Sequence, residues 1–322
     1  MRRRNVVNYA KWGYIFSFPF LATFLVFLLY PLIYTAIIGF TNLQGMATMM
    51  PGFQMKILEQ PFDNFISILS NNTFRVSLGN TFKIWIMNFI PQLVIALLLT
   101  AWFTNQRHRL NGIGAFKVLF YMPNIITAAS IAILFNVLFA FPSGPVNDML
   151  VGLGFFEQPH NYMVDRDASQ MIVAFIQFWM WYGHSMLIFI SGVLGLNPSM
   201  YEASEIDGAS SVQQFFLITL PNLRTIMVYI LVTSLVGGLN IFDIPRLFND
   251  GMPDNATSTI SLFIYRQAFA GSYMYNRAAA ASMIVFLILA VLSTIIFFVL
   301  RDKNTGPEKV ARKTLMKAGG IK

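Results

Sequence analysis

Six apolar runs, near residues 13–40, 79–103, 115–141, 169–195, 223–248 and 277–300, reach or exceed the roughly 20 residues that a helix needs to cross a bilayer. Lipid offers no partner for a backbone N–H or C=O, so each run must satisfy its own backbone as a helix. The expected fold is an all-α integral membrane protein with six transmembrane helices. Composition agrees: 56% of the 322 residues are hydrophobic and 11% are charged, more apolar surface than a water-soluble globule can hide. The formal charge of +8 sits at the ends of the apolar runs and not on a polar face with interleaved aromatics, which speaks against nucleic acid as a partner. The absence of cysteine excludes disulfides, thiolate metal sites and cysteine nucleophiles.

The basic residues also give an orientation. Arg2, Arg3, Arg4 and Lys11 precede the first run, Arg107, Arg109 and Lys117 lie between the second and third, and Arg301 to Lys322 carry seven more after the sixth. The alternate loops mix Lys56, Arg75, Arg166 and Arg266 with acids such as Glu59, Asp148 and Asp165. Both termini are therefore expected in the cytoplasm. The chain is expected to divide into a cytoplasmic N-terminus (1–12), a six-helix transmembrane domain (13–300) with a cytoplasmic loop at 197–221, and a basic cytoplasmic tail (301–322). The first run is too long for a secretory signal and reads as a retained membrane helix.

Several runs hold residues that lipid penalises: Pro91, Pro123, Gln177, His184, Asn240, Asp243, Pro245 and Arg246. Such groups are tolerated against protein or a wet cavity. Asp243 and Arg246 either satisfy each other along one helix face or serve as a rim contact for a partner. Ala278–Ala281 and Ser282 open the sixth run with small side chains, which suit close helix approach within the bundle or against another chain. Outer loops such as Phe141-Pro142-Ser143-Gly144-Pro145 are rich in turn formers and read as a rigid rim.

The loop between runs four and five has the most local detail. Pro198 suits a helix start, Ser199 to Ile206 makes two turns, and Gly208 can take a left-handed stop. Ser210 or Ser211 can cap a second helix with Gln213 and Gln214 answering, and Pro221 is expected to end it. Glu202, Glu205 and Asp207 stand on an otherwise basic face, where anionic lipid would repel them. A solvated connector or a docking surface for a basic protein are the two readings left by pattern alone.

The stretch Tyr201-Glu202-Ala203-Ser204-x-x-Asp207-Gly208-Ala209, with the apolar residues up to Pro221, closely resembles the EAA loop of ABC importer permeases in its sugar-importer form. Ser204 stands where many members have a second alanine. Gly79-Asn80-Thr81, Phe120-Tyr121-Met122-Pro123, Phe242-Asp243 and the Ala-rich start of run six are similar to their counterparts in the maltose-type permease family. Gly251-Met252-Pro253 stands where members usually have Gly-Gly-Pro. The resemblance implies a type I ABC importer permease fold, reduced to the six-helix core, in a bacterial or archaeal cytoplasmic membrane. It makes Tyr201, Glu202, Ala203, Ser204, Asp207, Gly208 and Ala209 the coupling helix for a separate ATPase. No phosphate-cradling Gly-x-x-x-x-Gly-Lys motif occurs, so ATP and Mg are assigned to the partner ATPase subunits and no cofactor to this chain. Alternating access between two halves adds a second homologous permease subunit, two ATPase subunits and an extracytoplasmic solute-binding protein as partners.

For the solute, the matching positions are Met180, Trp181, His184, Ser234, Gly238 and Ile241, with Asn240 a polar neighbour. The flanking resemblances imply a carbohydrate, and aromatic faces that cover sugar C–H surfaces with polar groups that answer hydroxyls would suit one. The tryptophans equally suit an interfacial belt. A same-fold permease for amino acids, peptides or phosphate esters is the alternative. An ion-coupled carrier would call for an internal repeat and a carboxylate relay, and neither is evident. His108, His160 and His184 are scattered, without the spacing of a metal or nucleophile site, so no catalytic role is expected.

Overall fold

The computed structural model describes residues 10–105, 111–271 and 273–300. Arg2–Arg4, Arg107, Arg109 and the tail 301–322 lie outside the described residues, and so do most of the N-terminal segment and the charges from which orientation was read. The described chain is helical apart from loops and an isolated antiparallel bridge between Thr41 and Ile57. In order, the helices are α1 (Ala10–Phe24), α2 (Tyr30–Ile38), α3 (Asp63–Ser70), α4 (Asn72–Phe103), α5 (Ile113–Ile125), α6 (Ala128–Leu138), α7 (Pro145–Gly152) and α8 (Arg166–Leu194). After them come α9 (Ser199–Ile206), α10 (Ser211–Gln214), α11 (Leu220–Asn222), α12 (Arg224–Leu239), α13 (Asp243–Phe248), α14 (Ile260–Phe269) and α15 (Tyr275–Leu300).

Among the described residues, five helical stretches are long and apolar enough to cross a membrane: Lys11–Ile38, Asn72–Phe103, Arg166–Leu194, Arg224–Phe248 and Tyr275–Leu300. The third expected span is instead two helices, α5 and α6, bent by 87°. Counting this pair as one span gives six. The bend follows Pro123 and falls at Ile126, which is extended (ψ 140°) and sits in a β-branched Ile-Ile-Thr run stiff at χ1. Thr127 then caps α6 by accepting a hydrogen bond from the Ser130 amide. The fifth span breaks too. α12 stops at Leu239, and α13 restarts at Asp243, so Asn240, Asp243 and Arg246 fall at or after a break and not within a continuous lipid-facing helix.

Two segments relax into π-helical turns, Leu25–Leu29 and Phe215–Thr219, and each is followed within two residues by a proline, Pro31 and Pro221. Proline supplies no N–H and its ring crowds the carbonyl four residues back; a turn widened to i→i+5 accommodates both. Pro221 therefore does not end the helical path, contrary to the expectation from sequence. The path runs on through α11 to Leu223.

The chain divides into two compact units, Met1–Asn71 with Ile264–Leu287 and Asn72–Phe263 with Ile288–Lys322. In the first, Asn64 and Asn276 form a buried amide knot: Asn276 donates to Asn64 Oδ1 (3.1 Å) and to the Thr41 carbonyl, and Asn64 donates to the Gly39 and Thr41 carbonyls. Ala278–Ala281 are buried within the chain, which favours the intrachain reading of that small-residue run.

The second unit is organised on α4 and α8. Asp165 caps α8; the Ala168 amide first, with His160 and the Asp167 amide, holds its carboxyl below the usual range. Two apolar clusters, one around Ile84, Ile176 and Phe248 and one around Phe89, Met186 and Leu223, fill the interior. Between α4, α8 and the loop before α14 lies a polar network. Gln170 donates to Asn80 Oδ1 (3.2 Å) and to the Ala256 carbonyl (2.6 Å), Asn80 donates to the Asn255 carbonyl (2.6 Å), and Lys83 donates to Gln170 (2.5 Å). This fixes the outer turn, where Gly251 takes φ +77° and Met252 is more than half exposed, so a methionine fits where a second glycine is usual. Arg246 pairs with Asp250, four residues on, and not with Asp243 as the spacing suggested. At the other end, Arg224 donates to the Leu300 carbonyl (2.8 Å), tying the start of α12 to the end of α15.

Gln170→Leu strips this network and leaves buried acceptors unmet, so it is expected to cost roughly 2–3 kcal/mol. A thermal unfolding series in detergent checks it, with Met171→Ala, an exposed neighbour, expected to cost less than about 0.5 kcal/mol.

Candidate functional site

Two features of the second unit qualify, one at each level of the α4–α8 pair. The first is the elbow from Ser199 to Asn222. α9 ends in a double hydrogen-bonded stop: the Gly208 amide donates to the Glu205 carbonyl (3.1 Å) and the Ala209 amide to the Ser204 carbonyl (2.9 Å), with Gly208 at φ +78°. An L side chain at that φ costs about 1–2 kcal/mol, hence the glycine. Ser210 then opens α10 with a complete capping box, its Oγ accepting from the Gln213 amide while Gln213 Oε1 accepts from the Ser210 amide (2.7 Å).

The two short helices are tied together. Ser204 Oγ donates to the Tyr201 carbonyl (2.7 Å) and accepts from buried Gln214 Nε2 (2.9 Å), and the Tyr201 hydroxyl bonds Thr219 Oγ1 (2.9 Å). Alanine at position 204 could make neither hydrogen bond, so the serine is a stitch between α9 and α10. Outward, the elbow presents Glu202 and Asp207 beside Ile206 at 88% exposure, while Glu205, also exposed, borders the groove behind it. No Lys or Arg lies between residues 197 and 221. A Cβ added at Gly208 meets nothing within 4 Å, so this surface is open. Behind it, a groove of about 450 Å³ runs between the elbow and the ends of α4 and α8, with Trp102, Leu194, Glu205, Phe215 and Phe216 among its walls.

The second feature is a small cavity of about 70 Å³ where α4, α8 and α12 meet. Each helix contributes one stripe at helical spacing: Asn88 and Gln92 from α4, Gln177, Trp181, His184 and Ser185 from α8, and Thr233, Ser234 and Gly238 from α12. Gln92 donates to Ser185 Oγ (2.8 Å) across the α4–α8 seam, and Trp85 Nε1 donates to Ser234 Oγ (3.2 Å). Gly238 lies against the Trp85 indole, where an added Cβ would overlap the ring. Trp181 and His184 meet edge to face at 5.6 Å.

Of the seven solute-lining positions expected from sequence, Trp181, His184, Ser234 and Gly238 share this cavity. Met180 and Ile241 do not: both are buried in the apolar cluster with Ile84 and Ile176. Consecutive helical residues point about 100° apart, so Met180 cannot face where Trp181 faces. Asn240 turns back to the Val236 carbonyl (2.8 Å). Asn88, Gln92, Gln177 and Thr233 are additions. The signal for them was present as polar residues at i, i+4 spacing, 88 with 92 and 177 with 181. Cavities that enclose whole ligands run to about 300–1,000 Å³, so this cavity of about 70 Å³ does not by itself enclose an oligosaccharide.

An all-helical chain of bilayer-spanning helices, a bent helix pair, a polar internal cavity and a closed acidic elbow defines a multi-pass membrane permease architecture. The chain belongs to the binding-protein-dependent transport system inner membrane component family, whose model matches residues 64–305. Among curated proteins it is similar to the lactose transport system permease protein LacF of Rhizobium radiobacter (27% identity; 91% of this chain, 95% of that one). It is also similar to the arabinooligosaccharides transport system permease protein AraP of Bacillus subtilis (29%; 86% and 85%) and the multiple sugar-binding transport system permease protein MsmF of Streptococcus mutans (25%; 92% and 97%). A chain in the crystal structure of a bacterial alginate ABC transporter with its alginate pentasaccharide-bound periplasmic protein shares the fold, with TM-score 0.73, 20% identity, and 93% and 98% coverage.

Trp181→Ala and His184→Ala are each expected to lower uptake of some solutes by about tenfold, the size of one lost aromatic contact, and to spare others. Initial uptake rates over a solute panel check this; wild-type rates for every solute would remove both residues from the pathway.

Proposed function

We propose that this chain is a permease subunit of an ATP-driven, binding-protein-dependent importer of a carbohydrate, most naturally an oligosaccharide. It forms half of the translocation pathway in a cytoplasmic membrane, with both termini and the elbow on the cytoplasmic side. A second homologous permease supplies the other half, two ATPase subunits bind and hydrolyse ATP with Mg, and an extracytoplasmic solute-binding protein delivers the sugar. The chain itself carries no covalent chemistry. The sugar assignment draws on the systems named for its curated relatives and on a cavity of indole, imidazole, amide and hydroxyl groups, which suits C–H faces and hydroxyls.

The observation that carries the reading is the elbow. Its backbone ends are closed by the Gly208 stop and the Ser210 capping box, its two helices are stitched through Ser204 and Gln214, and its outward face is acidic and open. A merely solvated connector needs no such rigidity. A lever does, because a docked ATPase can shift α8 and α12 only through an element that does not itself bend. Glu202, Ala203, Asp207, Gly208 and Ala209 form the docking surface, while Tyr201 and Ser204 hold it together.

Gly208→Leu is the test. Space around Gly208 is open within this chain, so beyond a local strain of about 1–2 kcal/mol the side chain meets only a docked partner. The variant is expected at normal level in the membrane with transport and transport-stimulated ATP hydrolysis reduced at least tenfold. Transport and stimulated hydrolysis near wild type would refute the docking assignment.

A further inference from the structure

The three helices around the cavity are empty of formal charge along their membrane-deep length. No Asp, Glu, Lys or Arg occurs in residues 84–103 of α4, 168–194 of α8 or 225–242 of α12 and the break after it. Charge returns toward the ends of these spans: Arg75, Lys83 paired with Asp167 at 3.4 Å, Arg166 and Arg224, with Asp243 and Arg246 after the break in the fifth. The polar groups between are amides, hydroxyls and one imidazole. Gln177 is about nine-tenths buried, lines the cavity, and its amide makes no hydrogen bond to another described residue. Asn88 and Gln92 beside it are nearly fully buried. The Gln177 amide keeps access to the cavity, since among the described residues the Tyr162 hydroxyl alone is a fully buried side-chain polar atom without a partner, and a hydroxyl in the cavity can answer both ends of an amide.

An ionic solute meets the reverse situation. Moving a carboxylate or ammonium into this passage removes its water, and among the described residues this wall offers no opposite charge in return. Neutral hydroxyls lose little by the same transfer, since amides replace their water partners one for one. We infer that this half of the pathway is built for an uncharged, polyhydroxylated solute, and that its lack of counter-charge around Gln177 excludes uronate-bearing and amine-bearing glycans. The inference rests on the proposed function and narrows its substrate class.

The test uses the complete transporter, reconstituted with its partner permease, ATPases and binding protein in proteoliposomes. Raffinose, maltotriose and arabinotriose serve as neutral probes, and trigalacturonate and the glucosamine trimer as charged ones. ATP-driven uptake is expected for neutral probes only, and uptake of a charged probe within threefold of a neutral one would overturn the inference. Gln177→Glu asks the permease directly, with the binding protein unchanged. It is expected to lower neutral uptake at least tenfold at pH 7.5. Burial raises a carboxyl pKa, so the proton returns on acidification, and part of the rate is expected back at pH 5.5. Wild-type uptake by Gln177→Glu at pH 7.5, with normal membrane levels, would contradict the inference. Thr233→Glu, on the α12 side of the cavity and exposed, gives the same comparison if the first variant fails to assemble. ATP-driven uptake of an amino acid or peptide in place of every sugar defeats the proposed function itself, whereas uptake of a charged sugar defeats only this inference.

Discussion

At the middle of the α4–α8 seam Gln92 donates to Ser185 across 2.8 Å, and toward one end of α4 the same two helices meet again where Gln170 binds Asn80 and Lys83. Between membrane helices there is little hydrophobic gain in association, since lipid tails are as apolar as leucine. What holds a pair together is packing and the need of polar groups to find each other away from water. The α4–α8 seam meets that need with amides and hydroxyls. It thereby sets the phase of both helices, so that Asn88 with Gln92 and Gln177 with Trp181 and His184 turn toward a common cavity. The elbow starts five residues after α8 ends and leads directly into α12, so a displacement of the elbow would reach two of the three cavity walls through short connections.

The elbow and the spans were legible in the sequence for different reasons. Spans are read from length alone, and a bilayer sets that length. The elbow is read from caps, whose chemistry is local: Gly208 and Ser210 with Gln213 need no tertiary partner to act. The opposite holds for what the sequence did not show. The 87° bend after Ile125 depends on how Ile126 and Thr127 resolve a stiff β-branched run, and hydropathy does not distinguish a bent apolar stretch from a straight one. The helical path through Pro221 depends on a π-turn before it, and a proline alone does not distinguish a widened turn from a helix end. The role of Ser204 was not legible, because its hydrogen bond to Gln214 reaches ten residues along the sequence into the next helix.

The cavity was half legible. Resemblance carried over Met180, Trp181, His184, Ser234, Gly238, Asn240 and Ile241 as a set, but a helix of 3.6 residues per turn cannot aim both Met180 and Trp181 at one point. The break at Asn240 separates Ile241 from the stripe on α12. Asn88 and Gln92 carry their signal in the four-residue spacing of their amides on α4, which the resemblance does not cover.

The central claim is that the Ser199–Asn222 elbow is the surface on which a separate ATPase acts. The native chain has no cysteine, so a single Glu202→Cys or Ile206→Cys change on the exposed face of α9 gives one reactive thiol per chain. Treating the assembled transporter in membranes with a short homobifunctional maleimide, against ATPase subunits carrying cysteines scanned across their surface, is the direct measurement. A crosslink from this face to one confined patch of the ATPase, altered by ATP, is the expected result. A thiol that reacts with an impermeant reagent from the external side, or never crosslinks to any ATPase position, would contradict the account.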